Sequence, residues 1–323
     1  MKNGLYLFVF LSLFSNGSYS QKNTLINFKT ESRSVFDICF TYKGTALAVT
    51  DNKSVKIFST QTAELLREFT NGHKRQILTI DISKDSTILV SGGKDSIIVI
   101  WNIVSGEILK SLYFHRAIVT SVQFSPDCRY LLSGDSDGKV ILFDMKQEKV
   151  IREFKDHKRD NAAVEFSPDG RLIATAGGDK LIYIYETGNL KLASSLTGHR
   201  DWIRDISFSS DGKKLISCGD DSKVFQWHLG NMTVIKKTRL SNGFISWITG
   251  VDYNLDNLSY AYCCFDGSVF IVTPFSKYKT KIKGPVNKIL FKPSESSYLK
   301  VAVATMKNGV LIIDAINMKT KKE

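Results

Sequence analysis

The chain has 323 residues, of which 43% are hydrophobic and 24% charged, with 5 Pro and 5 Cys. This composition is too apolar for a disordered protein and too evenly mixed with charge for a membrane bundle, and five cysteines are too few and odd in number for a disulfide scaffold. With 44 Lys and Arg against 32 acids, the formal charge of +12 favours an acidic partner, whether a protein face, a nucleic acid or an anionic membrane.

The first element, residues 1–20, has Lys2 ahead of an apolar run from Leu5 to Phe14, then Ser18 and Ser20 before Gln21. That layout predicts a cleavable secretory signal, with a buried strand as its rival, and an exported chain, periplasmic or extracellular. No later run approaches the 18 apolar residues of a membrane span, so no span is expected. Residues 24–30, TLINFKT, read as a strand with no hairpin of its own.

From residue 31 one phrase recurs: an alternating strand, a turn, a strand ending in small residues, an Asp-containing turn, and a strand closed by an aromatic or apolar residue. The closing residues are Phe58, Trp101, Phe143, Tyr185, Trp227, Val272 and Ile313, at intervals of 43, 42, 42, 42, 45 and 41. Linkers such as AELLREF and EKVIREF carry a fourth strand, and SPD at 125–127 and 167–169 predicts tight turns between the first two. Without 22 N-terminal residues the chain divides into seven units of 43, the size of a four-stranded propeller blade. After Asp314 only INMKTKKE remains, weak as a strand, so TLINFKT is expected to complete the last blade and leave no long open edge. The expected fold is therefore all-β, a seven-bladed propeller of four-stranded antiparallel blades over 21–314, with a short basic tail at 315–323.

The pairs Gly72-His73, Phe114-His115, Asp156-His157 and Gly198-His199, the turn residues Asp95, Asp137, Asp179, Asp221 and Asp266, and Trp101-Asn102 and Phe143-Asp144 resemble the WD-repeat β-propeller family. Each His precedes its Asp by 22 residues, and Ser91, Ser133, Thr175 or Ser217 stands four before the Asp. The resemblance implies a buried network: His73, Ser91, Asp95 and Trp101; His115, Ser133 and Asp137; His157, Thr175 and Asp179; His199, Ser217, Asp221 and Trp227. Phe143 and Tyr185 replace the Trp in two repeats, and Glu31, Phe244 and Ile282 replace the His in the other three.

Four of five His at one repeated position argue for structure over catalysis, so no catalytic residue is assigned. No spare set of inward-facing acids is legible for a site in the central channel. SGGKDS (91–96) and TAGGDK (175–180) are hairpin turns and not phosphate loops, so no cofactor is implied. Without CxxC or HxH no metal is expected. Cysteines are expected as free thiols; Cys218 and Cys263, equivalent on neighbouring blades, are the one pair worth considering for a bridge.

The remaining signal is charge on the loops that lead into blades two to five. Lys74, Arg75, Arg116, Lys158, Arg159 and Arg200 follow the repeated His, and the resemblance places these loops on one rim, with Trp202 and Trp247 flanking the arc. The rival is that these are solvated loop charges. The expected function is a non-enzymatic, exported scaffold that binds a protein or peptide, acidic by charge, with nucleic acid less favoured. The alternatives are a secreted propeller-type enzyme with a site in the channel, or an intracellular WD-repeat adaptor if the signal is not real.

Overall fold

The structure is a computed structural model that describes residues 26–28, 30–32, 34–240, 246–293, 299–315 and 319–321. Residues 1–20, where an export signal is expected, and Phe244 lie outside it. The described residues form seven antiparallel sheets, six of four strands and one of five. In each the repeat starts at the innermost strand and works outward, except that the outer strand of the last blade comes from the start of the chain. The inner strands are Ile38–Phe40, Ile77–Ile82, Val119–Phe124, Asn161–Phe166, Ile203–Phe208, Ile248–Tyr253 and Val286–Phe291.

The turns between the first and second strands follow from local chemistry. Ser167 Oγ donates to Asp169 Oδ1 at 2.6 Å and accepts the Leu172 amide at 2.9 Å, while Gly170 takes φ +71° and returns its N–H to the Ser167 carbonyl. Ser209 to Gly212 repeats this arrangement. In blade three Cys128 adopts φ +59° where those blades have glycine, a conformation that costs a residue with a Cβ roughly 1 kcal/mol.

The apolar core lies between blades. One cluster joins Ala174 and Ile184 of the fourth blade to Ile206, Leu215 and Trp227 of the fifth; another joins Leu47 and Phe58 of the first to Ala302 and Val310 of the last. Outer strands are the exposed ones: Thr233–Arg239 has six exposed residues of seven.

Closure takes the expected form. Ile26–Phe28 pairs antiparallel with Val310–Asp314, Ile26 opposite Ile312, as the outer strand of the last blade. Phe28 is fully buried and its ring lies 5.5 Å from that of Phe58 in the first blade, so one side chain joins both ends of the ring. The tail differs from expectation. Lys319–Lys321 adds to Lys277–Lys281 as a fifth strand of the sixth blade. The five cysteines are free thiols, Cys218 and Cys263 included.

Burial of Phe28 alone is worth about 2 to 3 kcal/mol, and its strand also covers a sheet edge. Deleting residues 24–30 should therefore lower stability by at least about that amount and reduce solubility, checked by thermal melts and light scattering; a melting temperature equal to that of the intact chain would contradict the closure.

Candidate functional site: the blade loops and the central channel

In blade two, His73 Nδ1 lies 3.0 Å from Asp95 Oδ1, His73 Nε2 lies 2.8 Å from Ser91 Oγ, and Trp101 Nε1 donates to Ser91 Oγ at 2.8 Å. The carboxylate can only accept, so Nδ1 carries the proton and Nε2 accepts from the hydroxyl; Ser91 is then free to accept from the indole. Blade five repeats the chain through Trp227, Ser217, His199 and Asp221 at 2.8, 2.8 and 3.1 Å. In blade four His157 bridges Asp179 at 3.0 Å and Thr175 at 2.9 Å. Ser91, Thr175 and Ser217 are fully buried, so no substrate can reach their hydroxyls. Burial alone would raise the pKa of Asp95, Asp179 and Asp221, but hydrogen bonds from the histidines and from backbone N–H groups outweigh it and hold these carboxyls below their usual range.

Blade three departs from the sequence expectation. His115 Nδ1 meets Asp135 Oδ2 at 2.7 Å, and Asp137 is exposed. The reason is local. Asp135 Oδ1 also accepts the amides of Asp137 and Lys139, both at 3.0 Å, and so caps the turn that Asp137 occupies. At the matching position the other three repeats carry Gly93, Gly177 and Gly219, where a Cβ would stand 2.0 to 2.4 Å from a carbonyl oxygen of the facing loop.

Ring size is matched the same way. A Cβ on Gly72 would lie 2.2 Å from Trp101, so the large ring demands glycine. Where the ring is smaller, the glycine position is filled: Phe114 packs 5.0 Å from Phe143, and Tyr185 donates to Asp156 at 2.7 Å. Blade one, with Glu31 in the His position, uses a buried lysine. Lys56 Nζ meets Asp51 at 2.9 Å and Glu31 at 3.0 Å, while the amides of Glu31 and Ser32 also donate to Asp51. Ile282 is a partly buried apolar residue on the core between blades six and seven.

The buried acids also set the loops above them. The second oxygens of Asp95 and Asp221 accept the amides of Lys74 at 2.8 Å and Arg200 at 3.0 Å, and Asp179 accepts that of Lys158 at 3.3 Å. The side chains of Lys74, Arg75, Arg116, Lys158, Arg159 and Arg200 are exposed, and none makes an ion pair among the described residues. At the end of this series stands a cluster that sequence reasoning only half found. Arg204 binds Asp220 through two bonds of 2.8 and 2.6 Å, and its guanidinium lies 5.0 Å from the Trp202 ring and 5.7 Å from the Trp247 ring. Trp247 packs 5.3 Å from Phe265; the two are 45% and 38% exposed. Trp202 lies against Gly178, where a Cβ would meet its ring at 3.1 Å and the Arg159 Cβ at 3.4 Å, so Arg159 stands beside the aromatics.

The channel corrects a second expectation. A cavity of about 300 Å³ on the ring axis is lined by Asp37, Asp81, Glu165, Asp205 and Asp252, with Lys288. These acids were missed because they alternate with core residues inside apolar strands. They stitch blade to blade. Asp37 accepts the Ile80 amide at 3.0 Å, Asp81 that of Phe124 at 2.7 Å, Gln123 that of Phe166 at 2.5 Å, Glu165 that of Phe208 at 3.1 Å, Asp205 that of Val251 at 3.0 Å, and Asp252 that of Phe291 at 2.7 Å. Lys288 reaches past the sixth blade to Asp205 at 2.8 Å. Desolvation raises Asp81 to about 6 and Asp252 to about 7, and lifts Glu165 well above the carboxylate range. A carboxyl whose pKa is higher folded than unfolded binds its proton more tightly when folded, so this part of the stability is full at acid pH and is lost as pH rises from about 4 through 6 to 7. Among the described residues no group of three or more His, Cys, Asp or Glu is placed to hold a metal ion, and no helix is long and apolar enough to cross a membrane.

The correction in blade three can be measured. Asp135→Ala leaves His115 without its acceptor and should cost on the order of 1 to 3 kcal/mol in a denaturant titration, whereas Asp137→Ala, on an exposed side chain, should cost under about 0.5 kcal/mol. The reverse ranking would restore the residue expected from the spacing.

No curated protein sequence matches the chain. The family description "WD domain, G-beta repeat" matches four segments, residues 63–102, 106–144, 148–186 and 190–228. Each begins at or before the outer strand of one blade and ends with the third strand of the next, the blades that carry the His network. Four WD40 repeats within a seven-bladed ring support placing the chain in the WD-repeat propeller family.

Proposed function

We propose that this chain is a WD-repeat propeller that acts as a non-enzymatic scaffold and binds an acidic protein or extended peptide along one rim. The observation that carries this reading is a set of six exposed, unpaired cations, of which Arg159 stands beside the cluster of Trp202, Arg204, Trp247 and Phe265. Arg and Trp are the residue types that most often anchor interfaces, and here the arginine is already oriented by Asp220, so little side-chain entropy remains to be lost on binding. The buried networks support the same reading, because they fix the backbone of the cation-bearing loops without presenting a reactive group.

Export belongs to the same proposal and rests on the apolar run from Leu5 to Phe14 and the small residues Ser18 and Ser20. In that setting the chain would meet its partner outside the cytoplasm.

Partners captured by the wild-type chain should be lost when Arg116→Glu and Lys158→Glu are combined, with an association rate that falls as salt rises. Trp247→Ala should weaken the same interaction by about 2 kcal/mol or more. Both variants should keep the wild-type melting temperature, since neither site belongs to the buried networks. Undiminished capture by both would place the interaction surface elsewhere.

A further inference from the structure

Seven outer strands complete the blades, and they differ in kind. In blades one to five they carry exposed apolar residues, among them Leu65 and Leu66, Ile108 and Leu109, and Val234 and Ile235. In blade six the outer strand reads Lys-Tyr-Lys-Thr-Lys over Lys277–Lys281. A charged edge is normally one that resists further pairing. Yet this is the edge that is paired, by the three residues Lys319–Lys321, and the register sets Lys277 opposite Lys321 and Lys279 opposite Lys319. Lysine opposite lysine is a poor cross-strand match.

The lysines of this edge are arranged for a strand. Lys277, Lys279 and Lys281 alternate with Tyr278 and Thr280, so they share one face. The Nζ atoms of Lys277 and Lys279 lie 5.1 and 5.2 Å from the centre of the Phe270 ring, which orders both stems. Lys281 already holds a carboxylate, Asp266, at 3.2 Å. The edge therefore offers a backbone ladder in use and ordered lysines spaced two residues apart, against a cover of only three residues.

We propose that the outer edge of the sixth blade is a strand-exchange site: an extended segment of a partner protein with acidic residues at alternate positions displaces Lys319–Lys321 and pairs with Lys277–Lys281. Backbone hydrogen bonds would supply affinity and a carboxylate opposite Lys279 would supply selectivity, as in other cases of strand addition. The site is separate from the rim and does not depend on it.

A labelled seven-residue peptide of alternating glutamate and threonine tests this by fluorescence anisotropy on the intact chain. Deleting residues 319–323 removes the competing strand and should tighten binding at least about threefold. Lys279→Glu turns an attraction into a repulsion and should weaken it about tenfold, with Lys279→Gln intermediate. Arg116→Glu with Lys158→Glu should leave it within about twofold, and a lysine and threonine peptide should not bind. Unchanged or weaker binding after the deletion, or wild-type binding by Lys279→Glu, overturns the proposal; loss of binding in the rim double variant does so as well, by placing the peptide on the rim.

Discussion

A ring of blades depends on how one inner strand meets the next. The strands that face the axis converge, and the backbone amides on their inner edges have no ladder partner, so each junction must supply an acceptor for them. Six junctions do this with a side chain from the preceding blade: Asp37, Asp81, Gln123, Glu165, Asp205 and Asp252. The seventh cannot. Blade seven carries Lys288 and Leu290 at the matching positions, and neither side chain can accept a hydrogen bond. There the chain closes by other means: Asn287 donates to the Val35 carbonyl at 2.7 Å, the Val35 amide donates to the Thr305 carbonyl at 3.0 Å, and Ile26–Phe28 completes the last sheet. The acceptors come at a cost, since desolvated carboxylates on the channel wall are held at raised pKa values.

The second set of buried acids does different work. Asp95, Asp179 and Asp221 each hold a histidine inside the blade and a loop amide above it. One carboxylate thus links core to rim, so the loops that carry Lys74, Lys158 and Arg200 are positioned by side chains that are largely enclosed. The resemblance to a catalytic triad ends at burial: the hydroxyl that would attack is enclosed and already engaged with an indole in blades two and five.

The seven-fold period, the four-stranded blades and the N-terminal closing strand were legible in the sequence because turn chemistry and apolar alternation repeat at fixed spacing. Equal spacing misled at Asp137, where the doublet Asp135 and Asp137 offers two acids and only the fold decides which has room. The channel acids were not legible for another reason. A strand such as Ile77–Ile82 reads as an apolar strand with two polar residues, Thr79 and Asp81, and nothing in it says that Asp81 will cap an amide 43 residues away. Trp202 and Trp247 stood out by type, but Arg204 and Asp220, which bind them into one surface, are ordinary charges until the blades are side by side.

A ring stitched at six junctions and latched at the seventh should open at the latch first, which native-state amide hydrogen exchange can resolve. The amides of Phe124, Phe166 and Phe291 should exchange only through global unfolding, whereas the Val35 amide should exchange through an opening of lower free energy that carries the strand Ile26–Phe28 with it. Equal protection of Val35 and the stitched amides, or opening of the stitched junctions before the seam, would contradict it.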